Sequence, residues 1–257
     1  MKKIIMVMTV MVVFISALSA NGAQEATKIY EQGSGRGLRQ GAGDGRGNGQ
    51  GRGSGGSYRE DFAQELSLVY QNSLGSGVLT SEDVDGLILI SEEEKLARDV
   101  YLSLYKTWNL PMFINIAESE QQHMDAVKMV MEAYGLSGPE TLEIPGSFIN
   151  KDLEELYDQL LAEGQKSLSG AFNTAAMIED LDIYDLQNLL AAAENDEVKI
   201  LYQNLMKGSR NHLRSFSYQL EREGLSYEVN YISNEYYQRI LSLNREIAAI
   251  EDPDYSI

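Results

Sequence analysis

Residues 91–127, SEEEKLARDVYLSLYKTWNLPMFINIAESEQQHMDAV, decide the fold. Their apolar side chains recur at intervals of three and four, which is the spacing of one face of an α-helix. Asn109 and Pro111 interrupt this pattern, and we expect Asn109 to cap the next helix and Pro111 to lie in its first turn. The stretch therefore predicts a helical hairpin, with a first long helix over 91–108 and a second that ends near Tyr134.

The same periodicity returns further along the chain. After a connector with two prolines, the pattern predicts a short helix, two more long helices and a final helix, at 151–163, 167–193, 195–224 and 231–250. No stretch alternates in the way that a β-strand does. The sequence predicts an all-α protein, a four-helix bundle of two hairpins joined by a long crossover that carries a short helix, with an extra C-terminal helix.

The chain before the bundle changes composition twice. A basic start, an apolar run and small residues are typical of a secretory signal peptide, and an uncleaved membrane anchor is the alternative interpretation. A segment rich in Gly and Arg follows, which predicts disorder because it has no apolar area to bury. The expected organisation is a signal peptide over 1–23, a disordered segment over 24–57, an N-terminal helix and lead-in over 58–82, the bundle over 83–245 and a frayed tail over 246–257.

Charge and composition restrict the partners. The formal net charge of −18 repels nucleic acid and attracts cations, so we expect metal ions and no nucleic acid as partners. The Gly/Arg-rich segment is interpreted as a flexible linker, although basic repeats also occur in nucleic-acid-binding segments. The absence of cysteine excludes disulfides, thiolate catalysis and iron–sulfur clusters. The predicted location is outside the cytoplasm, with no stable membrane insertion after signal cleavage.

Polar residues interrupt the apolar stripe of each long helix. A helix rises about 1.5 Å per residue, which places these residues roughly 15–25 Å from the turn of their hairpin and predicts one polar layer near the middle of the bundle. Both histidines of the chain belong to this layer. The predicted layer consists of Glu94, Glu120, His123, Glu179, Asp182 and His212.

Such a layer requires a source of positive charge. An isolated buried carboxylate costs several kcal/mol, and these carboxylates and imidazoles cannot satisfy one another by hydrogen bonds alone. Glu120 and His123 lie about 60° apart on their helix, so both can reach the same pair of ions. Oxygen and imidazole ligands suit iron, manganese or zinc, so we predict that the six residues bind metal.

Structural interpretations stay open for single residues. Ser91 and Glu94 also fit a capping box, which would make Glu94 structural. Glu93 would then be the next candidate ligand, although it lies about 100° away around the helix. Glu179 and Asp182 also fit solvated positions near a helix end, and His212 fits a hydrogen-bonded core histidine.

Four blocks of the sequence resemble a known family. EEEKLARDVY, IAESEQQHMDAV, AAMIEDLDIYDL and GSRNHLRSF are similar, in this order, to the ferritin-like family filed as domain of unknown function 2202, over roughly 83–241. More distantly, Glu94, Ala97, Arg98 and Tyr101 resemble the first-helix motif of rubrerythrin-type di-iron proteins. This resemblance implies a ferritin-like bundle with two iron ions, and it places Tyr101 beside the site as a candidate catalytic residue.

The chain departs from the di-iron pattern on its fourth helix. The pattern has a second Glu-x-x-His there, whereas this chain has Ser209 and His212. One bridging carboxylate is therefore missing unless Asp182 replaces it, and an asymmetric pair or one tightly bound ion becomes an alternative. Gly208 predicts a close approach of another helix or a local bulge at this point.

Three functions follow from these expectations. The first is a non-haem di-iron or dimanganese oxidoreductase that reacts with peroxide or dioxygen and takes electrons from an external reductant. The second is a metal-binding or iron-handling protein without turnover, and the third is a metal-free interaction module. The Tyr-rich stretch at 229–240 also suits a homodimer interface, although we expect it to pack on the bundle itself.

Overall fold

The structure is a computed structural model that describes residues 62–70 and 73–257. The predicted signal peptide and the whole predicted Gly/Arg-rich segment over 24–57 lie outside the described residues. Within them the chain forms seven α-helices and no β-strand, which confirms the all-α prediction. The helices are α1 (Phe62–Tyr70), α2 (Ser81–Trp108), α3 (Pro111–Ala133), α4 (Lys151–Gly164), α5 (Leu168–Ala192), α6 (Asp196–Arg222) and α7 (Asn234–Ser242).

The first long helix, α2, begins ten residues before the predicted start at Ser91. Its cap is Thr80, whose hydroxyl accepts a bond from the Asp83 N–H, while the Asp83 carboxylate accepts one from the Thr80 N–H. Such a reciprocal pair satisfies two backbone donors that a helix start leaves open. Ser91 lies inside the helix and donates its hydroxyl to the Ile88 carbonyl. The expectation of a helix start at Ser91 is therefore wrong.

The turn between α2 and α3 also differs in detail from the prediction. Asn109 adopts a left-handed conformation with φ 51° and donates its N–H to the Tyr105 carbonyl, so it closes α2 instead of opening α3. Leu110 precedes α3 without a side-chain cap, and Pro111 is the first helical residue, where its missing N–H costs nothing. Gly135, with φ 71°, follows the end of α3.

Two helical hairpins form the body of the protein. α2 pairs with α3, α5 pairs with α6, and the hairpins pack together through α2 against α5 and α3 against α6. The crossover helix α4 packs on α2 and α5, while α1 packs on α3. The interior is apolar on one side of the polar layer, where Phe113 stacks between Phe172 and Phe216 at ring distances of 5.8 and 6.0 Å.

The segment after α6 is fastened to the bundle. The Asp180 carboxylate on α5 accepts hydrogen bonds from the Tyr227 hydroxyl and from the backbone N–H groups of residues 230–232. The final helix is shorter than the predicted 231–250, but Tyr237 and Ile240 are buried in the core. The homodimer stays a prediction.

The last residues, expected to form a frayed tail over 246–257, contain no helix. They nevertheless bind α6: Arg210 and Arg214 pair with Glu246, and Asn204 exchanges hydrogen bonds with the backbone of Ile250. Among the described residues, no helix has the length and apolar character needed to cross a membrane.

Candidate metal centre

Glu120 and His123 lie one turn apart on α3, and both side chains are buried. The Nδ1 atom of His123 lies 2.7 Å from Oε2 of Glu120. The same nitrogen lies 3.0 Å from Oε2 of Glu94, which extends from α2. Glu94, Glu120 and His123 therefore form a first compact group of ligand atoms that joins the two helices of one hairpin.

A second group lies on the other side of Glu120. Its Oε1 atom is 2.9 Å from Nδ1 of His212 on α6, and Oε2 of Glu179 on α5 is 3.5 Å from the same nitrogen. The imidazole rings of His123 and His212 are 5.7 Å apart and inclined by 26°. Each of the four long helices thus contributes to one site, and Glu120 directs one carboxylate oxygen to each group.

The groups have the composition and size of metal sites. Within each group the ligand atoms lie within 4.8 Å of one another, and all five residues are buried. In the part of the chain that the structure describes, Glu94 Oε1 has no hydrogen-bond partner, and the contacts of His212 Nδ1 with Glu120 Oε1 and Glu179 Oε2, at 2.9 and 3.5 Å, lack the geometry of hydrogen bonds. Because buried polar atoms are rarely left unpaired, these atoms fit a cation better than a hydrogen-bonded core. The site could hold metal.

The pKa values of the centre show how its charges balance without metal. Burial raises the pKa of Glu94 to about 7, although His123 opposes this shift. Burial would also raise the pKa of Glu120, but the charges of His212 and His123 hold it well below its usual range. Burial lowers the pKa of His123, and the nearby Glu94 and Glu120 outweigh it and raise that pKa to about 9. Without metal, protonated imidazoles therefore supply the positive charge next to the carboxylates that a metal ion could supply instead.

Tyr101 contacts a candidate ligand. Its buried hydroxyl donates to Oε1 of Glu179 at 2.5 Å and lies 3.3 Å from the Ala175 carbonyl. Burial and the neighbouring Glu179 raise the pKa of Tyr101 well above its usual value, so the phenol stays protonated. The hydroxyl thus fixes the orientation of Glu179, and a catalytic role for Tyr101 stays a prediction.

Asp182 lies near the centre but outside both groups. It is 3% exposed and one turn from Glu179 on α5. Burial and the charges of Glu179 and Glu94 raise its pKa well above the usual range. Its assignment as a metal ligand stays a prediction. Ser209, in the place of the expected glutamate, donates its hydroxyl to the Leu205 carbonyl of its own helix.

Gly208 makes the close contact that the sequence predicted. A Cβ atom at this position would lie 2.5 Å from Cε1 and 2.6 Å from Nε2 of His123. Real Cβ atoms do not approach other atoms this closely, so only glycine lets the imidazole occupy its position. The ring is pressed against the α6 backbone, and its Nδ1 atom faces the carboxylates.

Further residues lie close to the centre that the sequence did not assign to it. Phe62 on α1 packs its ring 5.1 Å from the His123 ring, although the N-terminal segment was expected to lie outside the bundle. Glu93 and Asp185 are 2% and 1% exposed, and their carboxyl groups lie within hydrogen-bonding reach of each other, while no N–H or hydroxyl group among the described residues donates to them. The sequence named Glu93 only as the alternative to Glu94, because it lies about 100° away around the helix.

Comparisons with known proteins agree with this architecture. Residues 83–244 match the family DUF2202, described as an uncharacterized protein domain. Uncharacterized protein MJ0754 of Methanocaldococcus jannaschii is 48% identical over 179 residues, which are 70% of this chain and 97% of that protein. The crystal structure of hypothetical protein MJ0754 from Methanococcus jannaschii aligns with a TM-score of 0.65 and 48% identity, over 66% of this chain and 97% of that chain. None of these descriptions states an activity.

Proposed function

Because this chain belongs to the DUF2202 family, whose description assigns no activity, we propose from its residues that it is an exported, ferritin-like metalloprotein. It binds two ions, iron or manganese, and reacts with peroxide or dioxygen. Glu94, Glu120 and His123 hold one ion, while Glu120, Glu179 and His212 hold the other.

The observation that supports two ions is the position of Glu120. Its two oxygens face two different histidine nitrogens, at 2.7 and 2.9 Å, and each nitrogen has a further carboxylate within 3.5 Å. A single ion would leave one of these groups with buried, unpaired charge. A carboxylate shared between two groups therefore favours a pair of ions.

The chemistry of the ligands supports a redox-active metal. Carboxylate and imidazole donors suit iron and manganese, and a pair of such ions supplies two electrons, the number that reduces peroxide to water. The protein holds the ligands in a buried site, Tyr101 orients Glu179, and Phe62 covers His123. Since the chain has no cysteine, it has no thiolate-bound iron of its own, and electrons must come from an external reductant.

The net charge favours a second candidate function. A charge of −18 concentrates cations near the surface, which suits a protein that binds or delivers metal without turnover. Both candidates require the same ligands. They differ in whether the iron-loaded protein responds to an oxidant.

The test measures metal content and oxidant response together. Protein purified without chelator is analysed for metal as wild type, Glu120→Ala, His123→Ala and the control Glu118→Ala, whose side chain is exposed on the same helix. We expect two ions per chain in the wild type and control, and at most one in the other two variants. Equal metal content in all four proteins would disprove the metal centre.

The iron-loaded wild type is then reduced and mixed with peroxide or dioxygen. A change in its visible absorption, absent from Glu120→Ala, is the result expected for an oxidoreductase. A wild type that retains two ions but shows no oxidant-dependent change would leave the metal-handling function instead.

A further inference from the structure

One face of α6 carries a row of polar side chains that bind an extended segment of this chain. Asn204, Lys207 and Asn211 lie three to four residues apart, so their side chains project from one stripe of the helix. The segment that they contact, residues 246–255, contains no helix. We call this row the α6 ladder, and it consists of Gln203, Asn204, Lys207, Arg210, Asn211 and Arg214.

The α6 ladder binds mainly the backbone of the segment. Asn204 donates its amide N–H to the Ile250 carbonyl at 2.8 Å and accepts from the Ile250 N–H at 2.9 Å. Asn211 forms the same pair of bonds with the backbone of Glu246, at 2.9 and 3.0 Å. Other side chains of the ladder donate to further backbone carbonyl groups of the segment. Since every residue offers a carbonyl group, these bonds select an extended conformation more than a particular sequence.

Charge makes the ladder selective for an acidic segment. The Glu246 carboxylate pairs with the guanidinium groups of Arg210 and Arg214, and Lys207 adds a third cation to the stripe. In a chain with a formal net charge of −18, such a stripe is a local exception that attracts acidic peptides. The rest of the segment contains no Lys or Arg, and its acidic residues are Glu251, Asp252 and Asp254.

Little apolar surface holds the segment in place. Across residues 243–257, all of which the structure describes, Ile250 is the only buried side chain. When the segment leaves the ladder, water can solvate the amide, ammonium and guanidinium groups that it covered. A segment with so few buried apolar contacts opens at a small part of the cost of global unfolding.

An exposed hinge precedes the segment. The helix before it, α7, is fixed in the core by Tyr237 and Ile240, and residues 243–245 then lead to Glu246. Three residues in an extended conformation span about 10 Å, which lets the segment reach a neighbouring molecule. Apolar side chains at the hinge face solvent, where a second copy of the chain can cover them. Leu241, Leu243 and Ile247 are 38%, 40% and 80% exposed.

We propose that the α6 ladder is an interaction site for an extended acidic segment, and that in a dimer each copy of this chain places residues 246–257 on the ladder of the other. The segment of a second copy makes the same bonds as the chain's own, so exchange conserves the contacts and depends on protein concentration. The arrangement is reciprocal and brings the exposed apolar residues of the two hinges together. No candidate ligand of the metal centre takes part in it.

Two full-length variants with reversed charges test the exchange. Arg214→Glu faces its own Glu246, and Glu246→Arg faces its own Arg210 and Arg214, so neither chain retains a matched ladder and segment. A mixture restores the match, because the segment of Arg214→Glu fits the unchanged ladder of Glu246→Arg. Sedimentation equilibrium measures the fraction of dimer, and native mass spectrometry identifies the two chains in it.

We expect the wild type to form a dimer whose fraction rises with protein concentration, each variant alone to be monomeric, and the mixture to contain a mixed dimer. Arg222→Glu, at an exposed position of the same helix, is the matched control and should behave as the wild type does. Circular dichroism verifies folding. If Glu246→Arg does not fold, Glu246→Gln takes its place, since it retains the volume of the side chain and an acceptor oxygen.

Each outcome decides the question. A mixed dimer that neither variant forms alone supports the exchange, even where the wild type is monomeric because its own segment occupies the ladder. A mixture that stays monomeric would show that the ladder only fastens the chain's own C-terminal end. Equal dimerisation of the wild type and both separate variants would place the interface elsewhere and overturn the proposal.

Discussion

Gly208 of α6 lies directly against the imidazole of His123 on α3, so that the absent Cβ atom would come within 2.5 Å of the ring. Gly208→Ala should therefore displace His123 from Glu94 and Glu120. Alanine favours a helix by about 1 kcal/mol over glycine, but the collision with the ring cannot relax without moving it. We expect metal affinity to fall roughly 10- to 100-fold, the usual effect of disturbing the support of a ligand.

Competition with a chromogenic chelator measures this affinity. Ser215→Ala, on the exposed side of the same helix, is the matched control and should bind as the wild type does. Unchanged affinity in Gly208→Ala would show that His123 does not bind the metal in the position described.

Metal binding should become tighter as pH rises. In the metal-free protein the pKa of His123 is about 9, because Glu94 and Glu120 outweigh burial, so the ring is protonated at neutral pH. A metal ion needs the neutral ring and must displace this proton. For each proton displaced, apparent affinity should increase about tenfold per pH unit up to pH 9 and then level off.

Calorimetric titration in two buffers of different ionisation enthalpy counts the protons released. At least one proton per chain should leave at pH 7 in the wild type, and fewer should leave in His123→Ala. Binding that is independent of pH between 6 and 9 would contradict the protonation state described.

Tyr101→Phe removes the hydroxyl that donates to Glu179 at 2.5 Å. A buried carboxylate that loses a donor costs about 1–3 kcal/mol, so the free energy of unfolding of the metal-free protein should fall by this amount. Urea denaturation measures the change against Tyr218→Phe, whose ring is 58% exposed. Equal stability of the two variants would mean that the hydrogen bond from Tyr101 to Glu179 adds nothing to the free energy of unfolding. A loss of oxidant response at unchanged metal content would add a catalytic role for Tyr101.

Phe62→Ala should open the His123 side of the centre. The Phe62 ring packs on the His123 imidazole, and the Lys207 ammonium lies 5.9 Å from the centre of the Phe62 ring. Removing the ring exposes the site without changing a ligand, so a chelator should extract the metal faster, by about an order of magnitude, while the number of ions stays the same. The control is Leu68→Ala on the exposed face of α1. Extraction at the wild-type rate would show that α1 does not limit access.

The sequence predicted the long helices well because the apolar periodicity and the residues that begin or end helices indicated the same boundaries. It misplaced the start of α2 because two capping patterns exist, at Thr80 and at Ser91, and only packing decides between them. Leu87 and Ile90 are buried in the core, so the helix continues through Ser91. A local cap is a weak signal when apolar residues on both sides of it have partners to pack against.

The candidate centre was predictable because ligands interrupt apolar stripes at matching depths. Glu93 was considered only as a substitute for Glu94, because it lies about 100° away around the helix from the predicted polar layer. In α2, however, all residues from Ile90 to Tyr101 are buried, because α3, α4, α5 and the 141–149 connector surround it. Phe62 was missed for a different reason: nothing in its own segment specifies a contact with a histidine sixty-one residues away.

The fastening at Asp180 has a consequence for any truncation of this chain. Its carboxylate takes four hydrogen bonds from the segment after α6, and the preceding residue is Glu179. A fragment that ended at Arg222 would retain the four long helices, but the buried Asp180 carboxylate would lose all four donors. Asp180 is adjacent to the candidate ligand Glu179. The bundle is therefore not a module that can be cut free of its C-terminal extension, and fragments for biochemistry should keep that extension.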